Sequence, residues 1–223
     1  MKQPIDTGII KLRDLPQEKI LVGLKKEFKR EILATIKSAK ITRFTRTTGI
    51  KPYQIYNLKH NDKIKLKFLF NLCAQLVNLG FSEFSERNIE KNIGVIGTKR
   101  GDIYIKNPKL PFDFNNKEGA YFISAILFDG GIDRQFKPHY GNIYLEARKR
   151  IEFCAKKIFG DIKSKEVNSK RGYFIRFPKS MGIILNHCFK IGTGNKMYCN
   201  NQIPKFIFNL RKYYYPKKYN FFH

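Results

Sequence analysis

The stretch AYFISAILFDGGID, Ala120 to Asp133, constrains this chain more than any other part of it. An apolar helix runs into Asp129 and is followed at once by Gly130 and Gly131. A carboxylate at the closed end of a buried helix is costly unless a cation meets it there. A glycine pair is what a helix needs to stop and turn sharply. The segment reads as a helix that delivers one acidic group to a fixed point, as a metal ion requires, with Gly130 and Gly131 as the turn. The plainer alternative is an acid in water beside a glycine cap. An acid at a helix C-terminus opposes the macrodipole, so a compensating cation is expected there.

The surroundings of that segment are strongly basic. The 223 residues carry 44 Lys and Arg against 18 acidic residues, a net charge of +26. Both halves of the chain share the excess, so it is not confined to a tail. Such a field favours a polyanion, nucleic acid first among them; the bland alternative is a lysine-rich surface serving solubility. The four cysteines, Cys73, Cys154, Cys188 and Cys199, show no paired metal-ligand spacing, and neither zinc nor disulfides are suggested. No signal-like start and no run of membrane-spanning length stand out, which predicts a soluble, cytoplasmic protein associated with DNA.

Along the chain, residues 1–16 lack periodicity and read as an arm. A helix is expected after Pro16, with Ile20, Leu24, Phe28, Ile32 and Ile36 as its apolar stripe. Lys25, Lys26, Lys29 and Arg30 lie off that stripe as a solvated face. In ITRFTRTTGIKPYQIYNLKHN, two short helices flank Gly49, and Phe44, Ile50, Ile55 and Leu58 are spaced to close a small core between them. The face left over holds Lys51, Tyr53, Gln54, Tyr56 and Asn57, all able to reach bases or phosphates. This spacing resembles a helix-turn-helix DNA reader of the Cro and repressor kind, with KIKLKFLFNLCAQLVNLG as its closing helix. Thr45 and Thr48 depart from the pattern, where a small Ala and an apolar residue are usual. A plain helical bundle is the competing reading.

Residues 1–95 are therefore expected as a helical domain, 96–112 as a linker and 113–223 as a second domain. In the second, strands are expected at about 131–137 and 142–147, then the helix RKRIEFCAKKIFG ended by Gly160. Two more strands follow at about 161–168 and 172–177, then a helix N-capped by Ser180 and a last short helix, IPKFIFNL. The fold class is α+β: a four-stranded antiparallel sheet covered on one face by helices. Alternation places Lys163 and Lys165 on one side, as it does Phe174 and Arg176, with Ile162 and Ile175 turned to the helices. Lys163, Lys165 and Arg176 are thereby candidate DNA contacts, an ordinary basic sheet surface being the alternative.

That order, together with AYFISAILFDGG, RKRIEFCAKKIFG and IPKFIFN, resembles the LAGLIDADG homing endonucleases of the archaeal and intein-type branch. The resemblance covers about half of the chain, Asn107 onward, and one copy of the motif. It implies an αββαββα domain whose sheet forms a saddle on double-stranded DNA. It also implies a homodimer in which paired motif helices bring two acids to a shared Mg²⁺, for phosphodiester hydrolysis. On this chain Asp129 matches the metal-binding and catalytic acid and Gly130 the residue after it. Lys196, with Lys190 as the alternative, is the candidate basic residue beside the scissile phosphate. Close packing of the paired helices needs small residues at spacing four. Ser124 satisfies this, whereas Phe128 occupies the second position and Ala120, Ser124 and Ala125 are left to supply the contact. The polar residue often found near the end of the second strand has no counterpart, since Ala147 falls there. Two readings compete: a Mg²⁺-dependent DNA endonuclease, and a non-catalytic helix-turn-helix regulator whose second domain is a degenerate endonuclease-like fold.

Overall fold

The computed structural model describes residues 5–99, 104–169, 172–195 and 202–208, and its fold is α+β with antiparallel sheets. The N-terminal stretch is not a free arm: Ile10, Leu12 and Leu15 are buried, and strand β1 (Ile9–Ile10) is paired. After Pro16 the chain forms strand β2 (Leu21–Leu24) where a helix was expected. The every-fourth-residue stripe mixes two periods. Ile20 and Val22 bury with the alternation of a strand, and only Phe28, Ile32 and Ile36 bury along helix α1 (Lys26–Ser38). Gly23 is needed there, because a Cβ would stand 2.9 Å from the Asp62 carbonyl oxygen.

Helices α2 (Ile41–Thr48) and α3 (Pro52–His60) meet at Gly49, whose φ of +70° is the left-handed conformation that glycine adopts without penalty. Phe44, Ile50, Ile55 and Leu58 are all buried beneath this pair, as their spacing predicts. Strand β3 (Ile64–Lys65), helix α4 (Leu66–Asn78), helix α5 (Glu86–Asn92) and strand β4 (Ile93–Gly97) complete the first half. Cys73 on α4 is buried, and burial pushes its thiol up to about 12, so it stays protonated and acts as a small hydrophobe.

The stretch expected as a linker carries the end of β4, then strand β5 (Ile105–Lys106) and the start of strand β6 (Phe112–Asp113), which pairs with β1. Helix α6 (Lys117–Phe128) opens on Asn116, whose Oδ1 accepts the Gly119 N–H at 2.8 Å. Strands β7 (Gly130–Ile132) and β8 (Pro138–Gly141) follow, shorter than the expected 131–137 and 142–147. Asp133 cuts the first one short, since its Oδ1 accepts the N–H groups of Gln135 and Lys137 and folds a turn. Helix α7 (Leu145–Phe159) begins where the second strand was expected and ends at Gly160, φ +102°. Strands β9 (Asp161–Ile162), β10 (Lys165–Ser169) and β11 (Gly172–Arg176) precede helix α8 (Lys179–Phe189).

Two main sheets result. The first has the order β3-β2-β4-β5-β9 and the second β10-β11-β8-β7. The strand expected at 161–168 is therefore two strands: Ile162 pairs with Ile105 in one sheet, while Lys165 pairs with Arg176 in the other. An aromatic core ties β6, α6, α7, α8 and the helical residues 205–208 together. Phe159 lies 4.9 Å from Phe112 and 5.5 Å from Phe114, and Phe206 lies 5.3 Å from Phe189.

Ser180, expected as an N-cap, lies inside α8, whose cap is Pro178. Its hydroxyl is buried without a hydrogen-bond partner among the described residues. Ser180→Ala is expected to raise stability by roughly 1 kcal/mol by removing that desolvated group. A thermal melt should register a Tm about 2–4 °C higher; a lower Tm would mean that the hydroxyl is satisfied.

Candidate nucleic-acid interface

The second sheet has two unlike faces. Gly130, Tyr140 and Ile175 stand in one cross-strand row and are buried, with Glu166 exposed at its outer end. The adjoining row on the opposite face runs Lys165, Arg176, His139, Gly131. Lys165 and Arg176 are exposed and directly opposite one another, an arrangement of like charges that destabilises an isolated sheet. An anion laid across the row removes that penalty. The next row on this face is Val167, Phe174, Gly141, where the Phe174 ring lies so close over Gly141 that a Cβ there would meet it at 2.9 Å. His139 and Phe174 are in edge contact at 6.3 Å. A basic strip beside an aromatic one suits phosphates and the edges of bases. His139 was not singled out from the sequence; only the register brings it beside Arg176. Lys163, expected to share a face with Lys165, is exposed between β9 and β10 and belongs to no strand.

Arg148 clamps this sheet from its helix-covered side. Only 6% exposed, it donates from Nη1 to the carbonyl oxygens of Asn142 at 2.6 Å and Ile143 at 3.1 Å. Its guanidinium also sits 5.2 Å from the Tyr173 ring and 4.0 Å from Glu166. Buried charge with two backbone acceptors and a carboxylate is satisfied, and it fixes the start of α7 against β10 and β11. Glu152 anchors the same helix further along. Burial by itself raises its carboxyl, but hydrogen bonds from Lys156 and Ser164 outweigh that and hold it below the ordinary glutamate value.

Asp129 is the C-cap of α6 and is exposed. Among the described residues no hydrogen bond or ion pair reaches its side chain, so none of them is the cation expected to meet a carboxylate at the end of a buried helix. Gly130 and Gly131 are not a positive-φ turn but the first residues of β7. Gly130 is required by close approach, because a Cβ would stand 2.3 Å from the His139 carbonyl oxygen. Lys190 caps its own helix, with Nζ donating to the His187 carbonyl at 2.9 Å, and lines a cleft with Asp6 and Lys205. Lys196 lies outside the described residues. On α6, Phe122, Ile123, Ala125, Ile126 and Leu127 are buried. Ala125 therefore faces the core rather than a partner helix. The less buried stripe is Lys117, Ala120, Ser124 and Phe128, with Phe128 64% exposed.

In the helical half, Lys51 is exposed at the N-cap of α3, and Tyr53, Tyr56 and Asn57 are exposed on the helix. Gln54 is partly committed: its Oε1 accepts the Lys51 N–H at 3.0 Å, while its own N–H donates to the Lys51 carbonyl at the start of α3. Tyr56 stacks on His60 with ring centres 4.2 Å apart.

Among the described residues no three His, Cys, Asp or Glu side chains come together as a metal site, and no helix is long and apolar enough to cross a membrane. No family model, no curated protein and no solved structure matches the chain.

Proposed function

We propose that this protein binds double-stranded DNA and cleaves it as a homodimer, in the manner of the LAGLIDADG endonucleases. The observation that carries this reading is the order of α6, β7, β8, α7, β10, β11 and α8, with the short β9 of the other sheet between α7 and β10, around a sheet arranged β10-β11-β8-β7. That order supports the αββαββα arrangement the resemblance implies, and Asp129 stands at the end of its first helix. The face bearing Lys165, Arg176 and His139 is the saddle surface, and α3 adds base contacts through Tyr53 and Asn57.

One carboxylate is too few to hold a divalent cation. Two chains paired along Ala120 and Ser124 would bring two, and the two Asp129 carboxylates would hold Mg²⁺, which takes oxygen ligands. When bound, the ion activates water and steadies the leaving oxygen. The chain's own residues orient the duplex: the basic row holds phosphates, and the apolar α6 core keeps both Asp129 carboxylates at one point. Lys196, from the segment after α8, remains the candidate partner of the scissile phosphate, with Lys190 behind it.

Phe128 favours a second reading. A large exposed ring on the pairing stripe, where a small residue lets backbones approach, holds the two helices apart. The chain is then a DNA-binding regulator that does not cut. Incubating a randomised plasmid library with Mg²⁺ separates the two: linear products support the nuclease, whereas retention of DNA without cutting under Mg²⁺ or Mn²⁺ supports the regulator. Failure to bind any duplex overturns both. Tyr53→Ala and Asn57→Ala are expected to relax sequence preference by roughly 1–3 kcal/mol per lost base contact, read from binding-site selection; unchanged preference would remove α3 as the reader.

A further inference from the structure

Lys63 and Lys65 open the stretch expected as a closing helix, but they fall at strand β3, and the fold gathers them with Lys99. A groove of about 500 Å³ lies between α3 and the edge of the first sheet. Tyr53, Asn57 and Asn61 line it on the helix side, and Lys63, Lys65 and Lys99 on the sheet side. The lysines come from two separated segments, the β3 strand with its lead-in and the turn after β4. Lys63 is half-buried and Lys65 exposed on either side of the buried Ile64. Among the described residues no carboxylate lines the groove. Glu18, whose charge reaches Lys65, is engaged by Lys67, which holds its carboxyl below the usual glutamate value.

One of the three cations is fixed in place. The Tyr104 ring lies on Gly97 so closely that a Cβ there would meet it at 2.3 Å, and the Lys63 ammonium sits 3.6 Å above that ring. A cation held on an aromatic face loses less freedom on meeting an anion than a free lysine does. The wall opposite offers amides and a phenol, which hydrogen-bond sugar, phosphate and base edges alike. Lys29 steadies that wall by donating to the Asn61 carbonyl at 2.9 Å.

We infer that this groove seats the phosphodiester backbone of one DNA strand, with Lys63, Lys65 and Lys99 on consecutive phosphates while α3 turns Tyr53 and Asn57 toward the bases. The inference rests on the reading that the chain binds double-stranded DNA. It adds to it a second wall: α3 does not act as an isolated rod, because the sheet edge fixes which strand its flank follows.

The test titrates a fluorescein-labelled duplex of random sequence by anisotropy across NaCl concentrations. The wild type is compared with a Lys63→Gln, Lys65→Gln, Lys99→Gln triple variant and with a control of equal charge change on the exposed face of α1: Lys26→Gln, Arg30→Gln, Lys37→Gln. Each lost phosphate contact lowers the slope of log K against log salt by about 0.9, so the groove variant is expected to fall by about 2.7. The control should keep the wild-type slope. Equal slopes for the groove variant and the control overturn the groove while leaving duplex binding intact. No duplex binding by the wild type, or binding only to single strands, overturns both the groove and the reading beneath it. A second measurement needs no variant: duplex should protect Lys63, Lys65 and Lys99 of the wild type from acetylation by an N-hydroxysuccinimide ester. Full acetylation of all three in the complex rules the groove out.

Discussion

Asp129→Asn is expected to abolish DNA cleavage, by at least about 10³-fold, while leaving duplex affinity unchanged. A metal centre contributes several kcal/mol to the transition state, and each 1.36 kcal/mol is tenfold in rate. Each chain supplies one carboxylate in the arrangement proposed, so a homodimer of the variant loses both acidic ligands at once. The substitution also separates function from folding. Asp129 caps the C-terminal end of α6, is exposed, and opposes the helix dipole. Neutral Asn of the same shape should leave stability level or raise it by about 0.3–1 kcal/mol. Loss of cutting with an undiminished Tm places the carboxylate in the chemistry. Wild-type cutting by the variant removes Asp129 from it, and a wild type that binds but never cuts assigns the chain to the regulator reading.

Phe159→Ala should have the largest effect on stability. The ring is fully buried at the last position of α7, and its neighbours are Phe112, Phe114 and Phe122 at 4.9, 5.5 and 6.0 Å. It joins β6, α6 and α7, so the surrounding structure cannot collapse into the space left behind. Phe→Ala at such a site costs about 3–5 kcal/mol, which is a large share of the roughly 5–15 kcal/mol that holds a domain folded. Tm should fall by roughly 10–15 °C. Phe128→Ala is the counterpart: at 64% exposure it should change stability by under about 0.5 kcal/mol. Chemical denaturation of the two variants checks both, and a Phe159→Ala loss below 1 kcal/mol would deny the aromatic cluster its role.

Legibility in the sequence followed the range of the interaction. α2, Gly49 and α3 were readable because a left-handed glycine and four apolar spacings are local signals, and Phe44, Ile50, Ile55 and Leu58 all bury as those spacings require. RKRIEFCAKKIFG and its Gly160 stop were readable for the same reason. Ile20 and Leu24 misled, since their spacing fits a helix while Ile20 and Val22 in fact alternate at β2, an interior strand flanked by β3 and β4. The 161–168 stretch misled because nothing local marks where a strand leaves one sheet for another. Ser180 and the pair Gly130 and Gly131 were read by residue type alone, and packing gave them other work.

Amino-acid order alone determined the charge, helices such as α2, α3 and α7, the α+β class and the presence of one acid at the end of an apolar helix. These depend on composition and on periods of two and 3.6, which any stretch of chain displays by itself. Only the folded structure decided that β9 joins β5 while β10 joins β11, and so set Lys165, Arg176 and His139 in one row. It likewise decided that Lys63, Lys65 and Lys99 share a groove with α3. Strand pairing and the walls of a groove are contacts between residues far apart in the chain, and their partners are chosen by packing that no short window of sequence contains.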